Sequence, residues 1–405
     1  MSLAINTDFL IIGAGMVGLT LARELKHRYP DQSVTVLEKE PTPGHHASGR
    51  NSGVLHSGIY YPPGSLKARV CAQGARELAA YCEDRQLPLN RPGKLLVPAS
   101  TQDGPQLDLL ENRANAQGIE VQRLDRQTLA TLEPDVRSAT GEALLVPSTA
   151  VVAPAAVLAA VAREAQDAGV DIRCGGQLDK VDPARQQVTW AGIGFTYGHA
   201  INCAGAHADT VAHQFGAGQR YTLLPFRGAY YKLDPRSGIC VQHLIYPVPD
   251  LRVPFLGVHT TTSISGDVYL GPTATPAFGR ESYRGLQGTT PAEAARIAGL
   301  LTRQFIAGRD GFRRLARQEA ARMTKHGFHA AAQALLPRLR PEHLLPADKV
   351  GIRAQMLDRT TGRLVMDFLV EQSPGATHVL NAISPAFTSA FPLARHLIDE
   401  FIAQR

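Results

Sequence analysis

Residues 8–38, DFLIIGAGMVGLTLARELKHRYPDQSVTVLE, restrict the fold more than any other stretch of this chain. The apolar run at 9–12 is long enough for one buried strand and too short to span a membrane. It leads into Gly13-Ala14-Gly15-Met16-Val17-Gly18, and behind it Val17, Leu21 and Leu25 recur as one apolar helical stripe. A second β-rich run at 33–37 ends on Glu38, about twenty residues past the last glycine. Gly13 permits the tight turn, Gly15 lets backbone approach a pyrophosphate, and Gly18 lets helix and strand pack closely. The helix N-terminus offers N–H groups and a positive dipole end to phosphates. Glu38 can accept from ribose hydroxyls, which selects a ribose without a 2′-phosphate. A glycine pattern alone occurs in many turns. Strand, glycines, helix, strand and acid in this order predict a dinucleotide-binding βαβ unit.

A chain of 405 residues has room for two domains or one two-lobed unit. Its net charge of +6 suits an anionic substrate or an anionic membrane surface. There is no compact basic run with interleaved aromatics, so nucleic acid is not expected as a partner. The five cysteines are odd in number and include no C-x-x-C, which argues against a disulfide framework and against a metal site. With no signal peptide or membrane-spanning run evident, the expected location is cytoplasmic.

After Glu38, residues 41–53 (PTPGHHASGRNSG) are too rich in Gly, Pro, Ser and Asn for regular structure. They read either as a solvated loop or as a loop along a bound cofactor, with Ser48, Asn51 and Ser52 as donors. Residues 54–61 (VLHSGIYY) embed His56 among apolar and aromatic side chains, as a core histidine or a base. A helix is expected over 66–85, a strand over 93–97, and helices over 125–133 and 154–168. Strands are expected at 170–174, 188–195 and 199–202, the last running into Cys203-Ala204-Gly205, whose small side chains let backbone approach a ligand.

Aromatic and β-branched residues at 221–232, 245–261 and 267–271 predict antiparallel strands that form a substrate platform. Residues 291–345 read as helical and arginine-rich, with Arg303, Arg309, Arg313, Arg314, Arg317, Arg322, Lys325, Arg338 and Arg340. That run is either a solvated face or a patch for anionic lipid, giving weak peripheral attachment to the inner face of the cell membrane. Strands are expected again at 351–354, 364–369 and 378–381, and a helix over 384–401. NAISPAFTSA puts small and hydroxyl residues at that helix's N-terminus, where its dipole could stabilise negative charge on a reduced flavin.

Taken in order, GAGMVG, LEKE, HHASGRNSGVLHSGIYY, PFRGAYY, LIYPVPDLRVPFLGVH, GIRAQ and NAISPAFTSA resemble L-2-hydroxyglutarate dehydrogenases and oxidases, FAD-dependent enzymes of the D-amino-acid-oxidase-like superfamily. The likeness runs from the first strand to the last helix and is weakest through the arginine-rich region. It implies a mixed α/β, two-lobed fold: a Rossmann-like FAD-binding domain (1–92, 145–218 and 346–405) and a mainly antiparallel substrate domain (93–144 and 219–345). It implies FAD as cofactor and oxidation of L-2-hydroxyglutarate to 2-oxoglutarate. Carried over by position, Gly13, Gly15, Gly18 and Glu38 would hold the ADP half. Lys39, Ser48, Asn51, Ser52, Gly53, Val181, Ala204, Gly205 and the turn Ser384, Pro385, Ala386, Phe387, Thr388 would line the rest. The chain departs from the family pattern at Ala229, Thr273, Ile383 and Phe387, which puts the far end of the substrate in question.

Oxidising a 2-hydroxy acid needs a base for the hydroxyl proton and an acceptor for the C2 hydride. Histidine suits the first task, and His56, ranked ahead, and His259 are the candidates. Arg353 in GIRAQ is the expected carboxylate partner, with Tyr61 and Tyr246 as hydroxyl donors. The electron acceptor is a quinone, oxygen or a soluble carrier. Competing readings are oxidative deamination of an amino acid or N-methyl amine, an NAD-linked dehydrogenase, and a flavin-binding protein without turnover. Intact HSGIYY and LGVH weigh against deamination. The polar loop and the C-terminal return to the nucleotide fold weigh against NAD.

Overall fold

The computed structural model describes residues 4–252 and 255–403. The chain divides into two compact units: residues 1–51, 154–225 and 353–405 form one, and residues 52–153 and 226–352 the other.

The first unit is built on the βαβ segment. Strand β1 (Ile5–Ile12) is followed by helix α1 (Met16–Arg28) and strand β2 (Val34–Glu38). β1 lies between β2 and the strand Ile193–Asn202, parallel to both, with Ile12 opposite Leu37 and Asn202. Asp171–Cys174 extends the parallel sheet beyond β2, and Ala376–Val379 extends it beyond Ile193–Asn202. Every β2 residue is buried, as a parallel strand covered on both faces requires. Helix α1 packs against Pro154–Asp167 and Ala390–Phe401. It buries Met16, Leu19, Leu21, Ala22 and Leu25, a wider face than the stripe read from sequence, and Val17 is only partly buried.

The second unit holds three sheets. Ala150–Val152 pairs with Val54–Leu55 and with Leu89–Asn90. In the second sheet the order is Leu244–Pro247, Lys94–Val97, Ala143–Val146, Gln122–Leu124, the first pair parallel and the others antiparallel. In the third, His259–Thr262 pairs with Val268–Gly271, which pairs with the strand Tyr221–Leu233 at Tyr231 and Lys232. Helices Pro291–Ala307, Phe312–Arg322 and Lys325–Gln333 follow, the first and third capped by Thr290 and Thr324 hydroxyls.

The bounds of these units differ from the expected domain boundaries. Residues 52–92 and 145–153, read from sequence as part of the nucleotide half, fold with the second unit, because Val54–Leu55 and Leu89–Asn90 pair with Ala150–Val152. The expected strand 188–195 is two strands joined at Ala191-Gly192, where both residues take positive φ, +48° and +75°. The expected strand 245–261 is likewise two, Leu244–Pro247 and His259–Thr262; Val253 and Pro254 between them lie outside the described residues. Segment 364–369 is largely irregular, and the last helix begins at Ala390, after turns through 384–389.

Candidate active site

In the first unit the glycine loop leaves no room for side chains. A Cβ on Gly18 would lie 2.1 Å from the Gly13 carbonyl oxygen, and one on Gly13, whose φ is +108°, 2.6 Å from that of Cys203. These contacts set the α1–β1 packing distance and bring the Cys203-Ala204 backbone to the end of β1. The Ser48 hydroxyl accepts the Met16 N–H at 2.8 Å, so the polar loop does fold back onto the helix N-terminus. Asn51 holds that loop by donating to the carbonyls of Ala47 and Ser48. Glu38 is buried, and its two carboxylate oxygens accept the N–H of Ala14 at 2.8 Å and of Glu40 at 2.9 Å. Its first task is therefore to lock the loop, with a second lone pair on each oxygen left for a ribose.

The structure thus gathers Gly13, Gly15, Gly18, Glu38, Ser48 and Ala204 at the C-terminal end of the parallel strands, where open α/β sheets bind their ligands. Gly205 opens a short turn directly behind. Lys39 pairs with Glu40, which also meets His46 Nε2 at 2.8 Å. Val181 is not brought to the loop: it sits on the edge strand Leu178–Asp182, opposite Val188, three strands from β1. In the turn before the last helix Ser384 is exposed, Phe387 half-buried, and Pro385, Ala386 and Thr388 buried. Ser389, which the sequence reading passed over, precedes the first turn with a buried hydroxyl that has no hydrogen-bond partner among the described residues. Close-packed glycines, an acid and N–H groups at a helix start fit the ADP half of a dinucleotide.

The second unit holds the acid–base candidates. His259 starts its strand, is buried, and donates Nδ1–H to the Gly257 carbonyl at 2.8 Å. A carbonyl can only accept, so the proton sits on Nδ1 and Nε2 keeps its lone pair. The imidazole stacks on Tyr246, ring centres 3.8 Å apart. Burial, and secondarily the Lys94 charge, pull its pKa down to about 4, while the Gly257 bond works the other way. It is neutral across the physiological range. The Thr260 hydroxyl accepts the Ile245 N–H at 2.9 Å and so ties this strand to the one carrying Tyr246.

Lys94 was missed by the sequence reading. As the first residue of KLLV it looks like the polar end of a strand, yet it lies opposite Val146 and Leu244, on the same sheet face as Leu96 and Tyr246. It is fully buried, with Nζ 4.6 Å from the Tyr60 ring centre and 5.5 Å from that of Tyr246. Among the described residues no hydrogen-bond acceptor reaches the ammonium, and the Tyr60 hydroxyl is also buried without a partner. Two ring faces offer the cation about 1–2 kcal/mol each, less than the several kcal/mol that burying an ammonium costs. Burial lowers its pKa to about 8, so it is still mainly charged at neutral pH.

Tyr61, the expected donor, is part-exposed and stands beside Lys67, whereas its neighbour Tyr60 belongs to the buried cluster. His56 is part-exposed, and its carbonyl accepts the Cys71 thiol at 3.1 Å. Arg353 is part-buried on the strand Leu344–Asp358. Ser52 and Gly53 lead into Val54, with Gly53 at φ +80° and its carbonyl bound by the Val152 N–H. In the motif PFRGAYY, Arg227 Nε is buried without a hydrogen-bond partner among the described residues, a second cation the sequence reading did not single out. Part of the basic run is held by internal partners. Arg314 pairs with Asp250, Arg322 with Glu319 and Arg338 with Asp135, while Arg313 donates to the carbonyls of Phe305 and Ile306. Among the described residues, no helix is long and apolar enough to cross a membrane.

A sheet built on this glycine loop, with a second unit carrying a neutral histidine and buried cations, defines a dinucleotide-dependent oxidoreductase. The sequence profile of the family described as FAD dependent oxidoreductase matches residues 8–400, and the chain belongs to that family and uses FAD. It is similar to the L-2-hydroxyglutarate dehydrogenase of Escherichia coli K12, 35% identical over 404 residues that cover 97% of this chain and 92% of that protein. The human mitochondrial L-2-hydroxyglutarate dehydrogenase is 34% identical, with 97% and 88% covered. Among solved structures, the fold matches L-α-glycerophosphate oxidase from Mycoplasma pneumoniae with FAD bound (TM-score 0.75, 22% identity, 97% and 94% covered). It also matches glycine oxidase from Geobacillus kaustophilus (TM-score 0.72, 18% identity, 99% and 96% covered).

Proposed function

We propose that the chain oxidises L-2-hydroxyglutarate to 2-oxoglutarate. The observation that carries this reading is the nearly full-length likeness, at about 35% identity, to dehydrogenases of that acid from bacteria and animals. The reaction removes a proton from the C2 hydroxyl and a hydride from C2, leaving the carbonyl. Bound FAD supplies the hydride acceptor at flavin N5. His259 takes the hydroxyl proton on Nε2, because Nδ1 is held protonated by the Gly257 carbonyl and stacking on Tyr246 fixes the ring plane. His56, part-exposed, has the weaker case. Arg353 and Tyr246 remain the proposed contacts to the acid, from the motifs GIRAQ and LIYPVP, while Tyr61, turned toward Lys67, gives way to Tyr60.

Arg314, Arg322 and Arg338 of the basic run pair with carboxylates, and oxidation of the acid can be read without a membrane. A soluble dye as electron acceptor therefore suffices for the test. Incubated with L- and D-2-hydroxyglutarate, the enzyme is expected to form 2-oxoglutarate from the L isomer alone. Dye reduction with amino acids, accompanied by ammonia and absent with L-2-hydroxyglutarate, would replace this reading with oxidative deamination.

A further inference from the structure

We infer that Lys94 is an anion-binding residue that receives a carboxylate of the acid substrate. The inference rests on the proposed 2-hydroxy dicarboxylate substrate and adds a residue that no sequence motif pointed to. Its ground is geometric. The ammonium is fully buried, has three N–H donors with no hydrogen-bond acceptor among the described residues, and lies over the rings of Tyr60 and Tyr246. A buried charge without a counter-charge is retained where a ligand supplies one, since replacing it with an apolar side chain would otherwise favour the fold.

The neighbours fit an organic acid. Tyr246 touches both the ammonium and the His259 imidazole, so cation and base share one aromatic ring. The unpartnered Tyr60 hydroxyl adds a donor beside the same ammonium. Tyr60 lies in the turn after Val54–Leu55, so the ring covering the cation is carried by a turn. The rest of the face, Leu96, Leu144, Val146 and Leu244, is apolar and dry, which strengthens a charge-assisted pair. A carboxylate seated there also meets Lys94 in its charged form.

The experiment compares wild type with Lys94→Met and Lys94→Arg as FAD-loaded proteins. Binding of glutarate, a dicarboxylate that cannot be oxidised, is read by calorimetry. KM and kcat are read with L-2-hydroxyglutarate and with L-2-hydroxyvalerate, which lacks the far carboxylate. Lys94→Met is expected to weaken glutarate binding and raise KM for L-2-hydroxyglutarate about 10- to 100-fold, with FAD retained and the melting temperature unchanged or raised. Lys94→Arg is expected to recover part of the loss. A loss shared by L-2-hydroxyvalerate assigns Lys94 to the carboxylate next to C2, and a loss confined to the dicarboxylate assigns it to the far one. Unchanged glutarate affinity and KM in Lys94→Met, or a fall in melting temperature with unchanged KM, would overturn the inference and leave Lys94 a packing element. If wild type binds no glutarate and turns over no L-2-hydroxyglutarate, the substrate reading fails instead.

Discussion

At the scale of single residues, the bond from His259 Nδ1 to the Gly257 carbonyl decides which nitrogen can act, and burial decides when it is neutral. Two consequences follow from a histidine pKa depressed to about 4. The acid limb of kcat/KM, which reports the free enzyme, is expected near pH 4 rather than near 6.5, with a basic limb near 8 as Lys94 loses its proton. The groups facing His259 here are Lys94, from the neighbouring sheet, and Tyr246. An acid limb well above pH 4 that disappears in His56→Gln would move the base to His56. His259→Gln is expected to lower kcat about 10²- to 10⁴-fold while FAD stays bound. Stability carries the same sign. The pKa values of His259 and His378 are both lowered to about 4, chiefly by burial. The unfolded chain therefore binds these protons first, and stability falls as pH drops from about 6.5 to 4. Each histidine contributes up to roughly 3 kcal/mol, and urea unfolding at pH 7 and pH 5 measures it. Equal stability at both values would contradict the burial of both rings.

At the scale of elements, Glu133 shows how the second unit holds its site strand. It ends the helix Arg126–Leu132, is fully buried, and one oxygen accepts the N–H groups of Gln242 at 2.9 Å and His243 at 2.6 Å and meets His243 Nδ1 at 2.8 Å. Those residues lead directly into Leu244–Pro247, which carries Tyr246. Glu133→Ala strands buried donors and is expected to cost about 2–4 kcal/mol in urea unfolding. A loss under 0.5 kcal/mol would mean water replaces the carboxylate. The elements legible in sequence are those whose signal is local. The βαβ unit was readable because glycines, stripe and acid lie within one stretch, and Leu66–Asp84 because its apolar period is helical. Lys94 was not, because LLV is apolar on both faces of its strand, and only the pairing to Leu244 and Val146 shows that its own side is core.

At the scale of the whole molecule, the chain passes between two units and returns to the nucleotide sheet twice, through Ile193–Asn202 and Ala376–Val379. The first return was readable from the small residues after its strand, and Gly13 does pack its bare Cα against the Cys203-Ala204 backbone there. The boundary at residues 51/52 was not, because it depends on Val54–Leu55 finding a partner nearly a hundred positions away in Ala150–Val152. Likeness over the whole chain then joined both units to one family, which local motifs taken singly do not do.

The most direct test of the account is an anaerobic visible spectrum of the purified protein, before and after addition of each enantiomer of 2-hydroxyglutarate. A yellow protein is expected to bleach with the L isomer, stay oxidised with the D isomer, and release one 2-oxoglutarate per flavin reduced. A yellow protein that bleaches with neither, while an amino acid or another hydroxy acid reduces it, would contradict the central claim.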